Sequence, residues 1–287
     1  MCNLLCCFGF LTCLGCRDRV ARTLLFFPPE TGYHMDFEGQ TMCLINSKGE
    51  PTSPLHDPSV ELKTLRVGKN KIATFFIRHP KSRFTILFSH GNATDLGYMR
   101  DHLVDMSSQL QVNLFAYDFC GYGESTGLPS VASLNAEIRV CFDHLTNELK
   151  IPRPSIVVYG QSLGTAPTVA LASQAGDVAG VILHSPLLSA LRVIRPVKKT
   201  HWFDILRNVD LIEQVKAPIL IVHGDEDEEV PVLHAKTLHE MSHQRYPAWF
   251  VEGAGHNNIE VEYRGQYFDC LSKFLSFLES ELACNKI

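Results

Sequence analysis

The chain has 287 residues, of which 45% are hydrophobic and 20% are charged, and its formal net charge at pH 7 is −5. A chain of this length can bury a large core, and one α/β domain of about 200–250 residues with some additional segments would account for it. The small negative charge, with no long basic run, gives no reason to expect a nucleic acid as a partner.

The ten cysteines are distributed unevenly along the sequence. Half of them lie within the first sixteen residues: Cys2, Cys6, Cys7, Cys13 and Cys16. The others are scattered: Cys43, Cys120, Cys141, Cys270 and Cys284. A secreted disulfide framework would spread its cysteines through the fold, so the body of the chain is typical of a protein with free thiols in a reducing compartment.

The N-terminal stretch, residues 1–22, is predicted to be a membrane anchor. Its apolar part is too short to span a bilayer as a helix, which takes about 20 residues. Its basic residues, Arg17, Arg19 and Arg22, follow the apolar part instead of preceding it as in a secretory signal. S-acylation of the five clustered cysteines accounts for more of this stretch than two alternatives, an unmodified hydrophobic tail or a zinc site with only one C-x-x-C pair. Several lipid chains beside basic residues would hold a membrane firmly.

Residues 23–58 contain several prolines and are predicted to be irregular, and residues 59–287 are predicted to form one α/β domain. This domain is predicted to begin with a β-hairpin, because apolar and polar residues alternate at 60–67 and 71–78. Further strands are expected at 84–89, 112–118, 155–159, 178–184, 218–223 and 247–251. Helices are expected at 95–110, 130–149, 165–173, 231–243 and 265–282. This alternation predicts a mostly parallel sheet with helices on both faces, whose strand carboxyl ends meet at one edge.

A G-x-S-x-G motif, Gly160 to Gly164, lies between a β-branched apolar run and a helical pattern. Strand, tight turn and helix in this order are typical of a nucleophile elbow, which predicts Ser162 as a nucleophile. Glycines at both ends of the motif would avoid a Cβ clash where strand and helix crowd together. The Leu163 N–H, at the start of the helix, would point toward an oxyanion. The alternative is a glycine-bracketed turn with an incidental serine.

A nucleophilic serine needs a base and an acid that orients the base. In this topology they follow in the order serine, acid, histidine, each after a strand. His256, in a glycine-rich loop after the last strand, is the predicted base; otherwise it is a surface histidine. Asp227 is the predicted acid because it lies at the apex of H-G-x-x-D-x-x-V-P, before the helix that Pro231 opens. Asp225 is the main alternative.

The second oxyanion donor is expected in the loop after the strand at 84–89, which faces the elbow in this topology. The candidates are the backbone N–H groups of Asn92 and Ala93; the alternative is that His90 and Gly91 only shape a turn. Two such donors would stabilise a tetrahedral intermediate by on the order of 3 kcal/mol each.

A literal H-E-x-x-H motif, His239 to His243, could indicate a zinc site. The apolar residues of the predicted helix, Ala235 and Leu238, must face the sheet, which places both histidines on the solvent side. We therefore expect no metal site at this motif.

Five stretches carry a resemblance to one known family: Phe88–Gly97, Tyr117–Ser125, Tyr159–Thr165, Leu183–Leu187 and Val251–Asn257. Together with the cysteine-rich N-terminus, they resemble the alpha/beta hydrolase domain-containing protein 17 family along nearly the whole chain. The resemblance implies an alpha/beta-hydrolase fold for residues 59–287, with a mostly parallel central sheet, helices on both faces and a minimal lid. It also implies a triad of Ser162, Asp227 and His256.

Members of this family are membrane-associated serine hydrolases that remove palmitate from cysteines of other proteins. The resemblance therefore implies a palmitoyl-protein thioesterase that works through an acyl-enzyme and needs no cofactor. The implied partners are S-palmitoylated membrane proteins as substrates, the membrane surface, and the palmitoyltransferases that modify the tail. The implied location is the cytoplasmic face of membranes, chiefly the plasma membrane and endosomal membranes.

Two functions of other classes use the same fold. An esterase or lipase acting on small lipids such as monoacylglycerols would share every catalytic residue, and a membrane-tethered interaction protein would be catalytically inactive.

The short connection between the strands at 178–184 and 218–223 suits a bulky protein substrate. Its apolar residues are expected either to line an acyl groove or to pack in the core: Leu187, Leu188, Leu191, Val193 and Ile194.

Overall fold

A computed structural model describes residues 22–284, except residues 196 and 198. Nearly all of the predicted anchor lies outside this part of the chain, including the predicted S-acylation sites Cys2, Cys6, Cys7, Cys13 and Cys16. Among the described residues, no helix combines the length and the apolar character that crossing a membrane requires. The five described cysteines are free thiols.

The segment at residues 23–58 contains a short antiparallel hairpin, so the prediction that this segment is irregular is wrong. Strands β1 (Tyr33–Asp36) and β2 (Thr41–Leu44) pair along their full length. Tyr33, Met35 and Met42 are buried. Four-residue strands are too short to produce a recognisable alternation, and their stability comes from burial against the rest of the fold.

An eight-stranded sheet forms the centre of the fold, in the order β10-β9-β8-β7-β5-β6-β4-β3. Its strands are β3 (Val60–Val67), β4 (Asn70–Ile77), β5 (Thr85–Ser89), β6 (Asn113–Tyr117), β7 (Ile156–Gln161), β8 (Gly180–His184), β9 (Ile219–Gly224) and β10 (Trp249–Val251). Strands β5 to β10 are parallel, whereas β3 and β4 run antiparallel at one edge. The prediction of a mostly parallel sheet that begins with a hairpin is confirmed.

Helices cover both faces of the sheet, as predicted. They are α1 (Leu96–Leu110), α2 (Val131–Asp143), α3 (Thr165–Ala175), α4 (Ala190–Ile194), α5 (Leu233–Met241), α6 (Ile259–Glu262) and α7 (Arg264–Cys284). Buried residues of α2, α3 and α5 share one hydrophobic core with one face of the sheet. Buried residues of α1 and α7 share the other core with the opposite face. The carboxyl ends of the parallel strands therefore meet at one edge, between the two layers of helices.

Candidate active site

The turn between β7 and α3 has the geometry of a nucleophile elbow. Ser162 has φ of 48°, in the left-handed region that non-glycine residues rarely adopt. A Cβ on Gly164 would collide with the carbonyl oxygens of Ser89 and His90, and one on Gly160 would collide with the carbonyl oxygen of Gly164. Both glycines are therefore required for α3 to pack so closely on the sheet.

Ser162, His256 and Asp227 form one continuous chain of hydrogen bonds. The Ser162 Oγ lies 2.9 Å from His256 Nε2, although the two residues are 94 positions apart. On the other side of the imidazole, His256 Nδ1 lies 2.6 Å from Asp227 Oδ2. Because an ionised carboxylate only accepts, Nδ1 carries the proton and Nε2 is the acceptor for the serine hydroxyl. The structure thus brings together the three side chains that the sequence singles out.

Asp227 is held from four directions. Its Oδ1 accepts the backbone N–H groups of Glu229 at 2.9 Å and Val230 at 2.8 Å. Its Oδ2 lies 3.1 Å from Nε2 of the buried His223 in addition to His256. The same His223 Nε2 lies 2.7 Å from the Val230 carbonyl oxygen, so this nitrogen carries the proton and donates. His223 is therefore a second imidazole that orients the acid.

The pKa of the acid, Asp227, is lowered, whereas the pKa of the base, His256, is raised. Burial raises the pKa of Asp227, but hydrogen bonds from His223 and His256 outweigh it and keep the pKa well below the ordinary value of an aspartate. Burial lowers the pKa of His256, but the hydrogen bond and charge of Asp227 outweigh that effect, and the pKa is raised. The carboxylate therefore stays ionised and can stabilise an imidazolium that forms beside it.

Asp225, the alternative acid, has another partner. Its Oδ1 accepts the Gly253 N–H at 2.8 Å and so ties the loop after β9 to the loop after β10. The geometry therefore favours Asp227 over Asp225 as the partner of His256.

The side chain of Gln161, next to the nucleophile, is held by α6. Its Nε2 donates to Glu260 Oε1 at 2.5 Å. Glu260 also lies 3.6 Å from Nδ1 of His184, which is fully buried at the end of β8. The sequence gives no signal for Glu260 because α6 has only four residues and no recognisable pattern.

The loop after β5 lies directly beside the nucleophile. A Cβ built on Gly91 would stand 3.8 Å from the Ser162 Cβ. The Ala93 N–H already donates to the Asn92 Oδ1 at 3.1 Å, which makes the Asn92 N–H the better of the two candidate oxyanion donors. Leu163, the other predicted donor, lies in the first turn after Ser162, where backbone N–H groups have no partner within the helix.

A cleft of about 580 Å³ opens above the triad. Polar groups of the site lie on its floor and walls, among them Asn92, Ser162 and His256. Three apolar side chains from three separate elements also line it: Phe27, Met99 and Val261. This combination of a few converging polar groups with apolar walls is typical of a ligand site.

The apolar residues after β8 do not line this cleft. Leu187, Leu188 and Leu191 are buried, and Val193 packs against the core. Ile194 is 49% exposed. The core-packing alternative is therefore correct for four of the five residues considered for an acyl groove, and Ile194 lies at the surface.

The H-E-x-x-H motif does not form a paired histidine site on one helix. Helix α5 ends at Met241, so the prediction that it continues to residue 243 is wrong and His243 lies outside it. His239 Nε2 instead lies 3.0 Å from the Tyr246 carbonyl oxygen. In the described part of the chain, no three His, Cys, Asp or Glu side chains are grouped so that they could hold a metal ion.

The fold is that of the alpha/beta hydrolases. Residues 80–209 match a family model described as "Serine aminopeptidase, S33". The chain is similar to the esterase Pf2001 of Pyrococcus furiosus, with a TM-score of 0.65 and 18% identity, over 88% of this chain and 98% of that one. It is also similar to Est1E of Butyrivibrio proteoclasticus with ferulic acid bound, with a TM-score of 0.64 and 16% identity, over 76% of this chain and 99% of that one.

Closer similarity is found among proteins with related sequences. The chain is 39% identical over 279 residues to alpha/beta hydrolase domain-containing protein 17B of Homo sapiens, covering 95% of each. It is 36% identical over 283 residues to alpha/beta hydrolase domain-containing protein aho-3 of Caenorhabditis elegans, covering 96% of this chain and 84% of that one. Both identities extend over nearly the whole of this chain, which therefore belongs to the alpha/beta hydrolase domain-containing protein 17 family.

Proposed function

We propose that this alpha/beta hydrolase is a palmitoyl-protein thioesterase, which removes palmitate from S-acylated cysteines of membrane-associated proteins. The observation that carries the proposal is the hydrogen-bond chain from Ser162 through His256 to Asp227 at the floor of a cleft with apolar walls. Ser162 is the nucleophile, His256 the general base and Asp227 the residue that orients it. No cofactor takes part in this chemistry.

Acylation of the enzyme is the first half of the reaction. Nε2 of His256 takes the hydroxyl proton while the Ser162 Oγ attacks the thioester carbonyl carbon. The backbone N–H groups of Leu163 and Asn92 stabilise the oxyanion that develops. The carbon–sulfur bond then breaks, and the departing cysteine thiolate takes the proton from the imidazolium.

Hydrolysis of the acyl-enzyme is the second half. His256 takes a proton from a water molecule, which attacks the Ser162 ester. The oxyanion forms again between the same two N–H groups, and palmitate leaves as the proton returns to Ser162. Asp227 stays ionised throughout because its pKa lies well below the ordinary range.

The remaining parts of the proposal concern where the enzyme acts. The cysteines at 2, 6, 7, 13 and 16 are S-acylated by palmitoyltransferases, and the lipids hold the chain at the cytoplasmic face of membranes, chiefly the plasma membrane and endosomal membranes. S-palmitoylated proteins on the same surface are the substrates. The support for this is the cysteine, apolar and basic composition of the first 22 residues.

The decisive experiment compares the wild type with Ser162→Ala expressed in cells whose proteins carry labelled palmitate. We expect faster loss of label with the wild type, and at least about a 10³-fold lower turnover of a soluble thioester by the purified variant, because the nucleophile is gone. An unchanged melting temperature would show that the variant is folded. Comparable turnover by both proteins would refute the proposal, and preferential cleavage of a monoacylglycerol would favour a lipid esterase instead.

A further inference from the structure

Residues 25–33, which we call the strap, cross the loop that follows β5. The Phe27 N–H donates to the Asn92 Oδ1 at 3.0 Å and to the Tyr122 hydroxyl at 3.2 Å. In return, the Asn92 Nδ2 donates to the Leu25 carbonyl oxygen at 2.8 Å. The Tyr122 hydroxyl donates to the same Asn92 Oδ1 at 2.6 Å. The Asn92 side chain, which the buried Tyr122 holds in place, thus bonds one backbone N–H and one backbone carbonyl of the strap, as the backbone of a neighbouring strand would.

The other end of the strap is held by two buried aspartates. The Gly32 N–H donates to the Asp95 Oδ2 at 2.7 Å, and Asp95 also caps the first turn of α1. The Tyr33 hydroxyl donates to the Asp118 Oδ2 at 2.5 Å. Because Asn92 and Asp95 belong to one loop, the strap is attached at two points to the loop that lies beside Ser162.

Two successive phenylalanines of the strap point in different directions. Phe26 is 4% exposed and belongs to the hydrophobic core. Phe27 is 53% exposed and lines the cleft above the triad. The core contact of Phe26 and the Asn92 hydrogen bonds fix the backbone that leads into Phe27, so its ring is held in the cleft wall without being buried.

The cleft has two more apolar side chains near the nucleophile. Met99 comes from the first turn of α1, and Val261 comes from α6 and is 76% exposed. Exposed apolar groups gathered around polar catalytic groups indicate a surface that a ligand covers. A linear hydrocarbon attached to the reacting carbonyl would bury all three side chains without requiring further polar partners.

We propose that the strap is part of the substrate-binding site. Phe27, with Met99 and Val261, contacts the acyl chain and determines the preference for long chains. The clamp formed by Asn92 and Tyr122 fixes the loop that carries the oxyanion N–H. This inference rests on the proposed function, since the strap acts on the cleft in which Ser162 reacts.

The first experiment measures chain-length preference with the full-length protein in detergent micelles, using p-nitrophenyl butyrate and p-nitrophenyl dodecanoate. For Phe27→Ala we expect KM for the dodecanoate to rise about tenfold, the loss expected from about two methylenes without contact. The KM for the butyrate should rise less than that for the dodecanoate, because its shorter chain reaches less of the cleft wall, and Phe27→Leu should recover part of the loss. Leu128→Ala is the matched control, because Leu128 is 60% exposed and does not line the cleft.

The second experiment tests the clamp with Tyr122→Phe, which removes one hydroxyl that bonds both Asn92 and Phe27. Tyr122 is a positioning residue, so we expect kcat for the butyrate to fall about fivefold or more while its KM stays the same. A Phe27→Ala enzyme with unchanged chain-length preference, or a Tyr122→Phe enzyme with unchanged kcat, would overturn the inference. Failure of the proposed function is distinguishable, because the wild type would then release no more labelled palmitate from cellular proteins than Ser162→Ala does, whatever the two esters show.

Discussion

Asp227 shows how single residues determine the chemistry of this site. Its carboxylate accepts two backbone N–H groups on one oxygen and faces two imidazoles with the other, so it has no freedom to rotate. An acid held in this way keeps the base in one tautomer and orientation, with Nε2 directed at the nucleophile. His223 contributes to this although it never touches Ser162.

The raised pKa of His256 has a direct consequence for the pH dependence of hydrolysis. Only the neutral imidazole can take the Ser162 proton, so kcat/KM falls as the pH drops through this pKa. Since the Asp227 charge stabilises the imidazolium, we expect the midpoint of the acid limb to lie above the ordinary histidine value of about 6.5. The measurement is the pH profile of kcat/KM for a soluble ester.

The control for this profile is Asp227→Asn. Without the negative charge, the imidazolium loses its main stabilisation, so the midpoint should move to lower pH and kcat should fall by about 10⁴. A wild-type midpoint at or below the ordinary histidine value, or an unshifted midpoint in the variant, would contradict this account of His256.

Among the elements, the elbow depends most strictly on local geometry. Strand β7 and helix α3 meet so closely that Gly164 lies against the backbone of β5 and of the loop that follows it. The carbonyl oxygens of Ser89 and His90 belong to a central strand and its end and cannot move aside as a flexible side chain could. The position of Ser162 is therefore coupled to the packing of the whole βα unit.

We expect Gly164→Ala to lower the free energy of unfolding by about 1–3 kcal/mol and to reduce hydrolysis, because the added methyl group forces strand and helix apart. Gly265→Ala provides the matched control. Gly265 lies in the first turn of α7, and a Cβ there has no atom within 4 Å. Urea unfolding of both variants checks the prediction, and equal stability of the two would show that the close contact at the elbow is not needed.

The strands of the central sheet and the long helices were predictable from the sequence, whereas the short hairpin and the short helices outside them were not. A buried parallel strand such as β9 is a continuous apolar run, and a helix such as α1 has a capping aspartate and an apolar stripe. The hairpin at Tyr33–Leu44 and helices α4 and α6 have four or five residues per element, too few for a period to repeat. Contacts with distant parts of the chain hold these elements.

The same distinction applies to the site. The loops that carry Ser162, Asp227 and His256 could be placed because the carboxyl ends of parallel strands share one edge. The roles of Phe27 and Glu260 could not be predicted, since they depend on how short segments pack across that edge. His223 had one available signal, its place in H-G-x-x-D, four residues before the acid. The apolar residues after β8 were expected either to line an acyl groove or to pack in the core, and they belong mainly to the core.

At the scale of the whole molecule, the triad, the cleft and the strap are all built from residues of the described part of the chain. We therefore expect replacement of the five tail cysteines by serine to move the protein from membranes to the cytosol while kcat/KM for a soluble thioester changes less than about twofold. Loss of lipid anchoring explains the first result, since basic residues alone bind membranes weakly. Fractionation of cells and assay of the purified variant are the measurements, and continued membrane binding would refute the anchor.

The tail joins the folded part of the chain on the catalytic edge. The Arg22 Nε donates to the Pro129 carbonyl oxygen at 3.2 Å, and five residues later Phe27 stands in the cleft wall. Cys16 is six residues before Arg22, a distance of at most about 20 Å of extended chain. The acyl group proposed on the tail and the site proposed to cleave such groups would then be tethered to each other at high effective concentration. The enzyme would set the lifetime of its own lipid, and with it the time that each copy spends on the membrane.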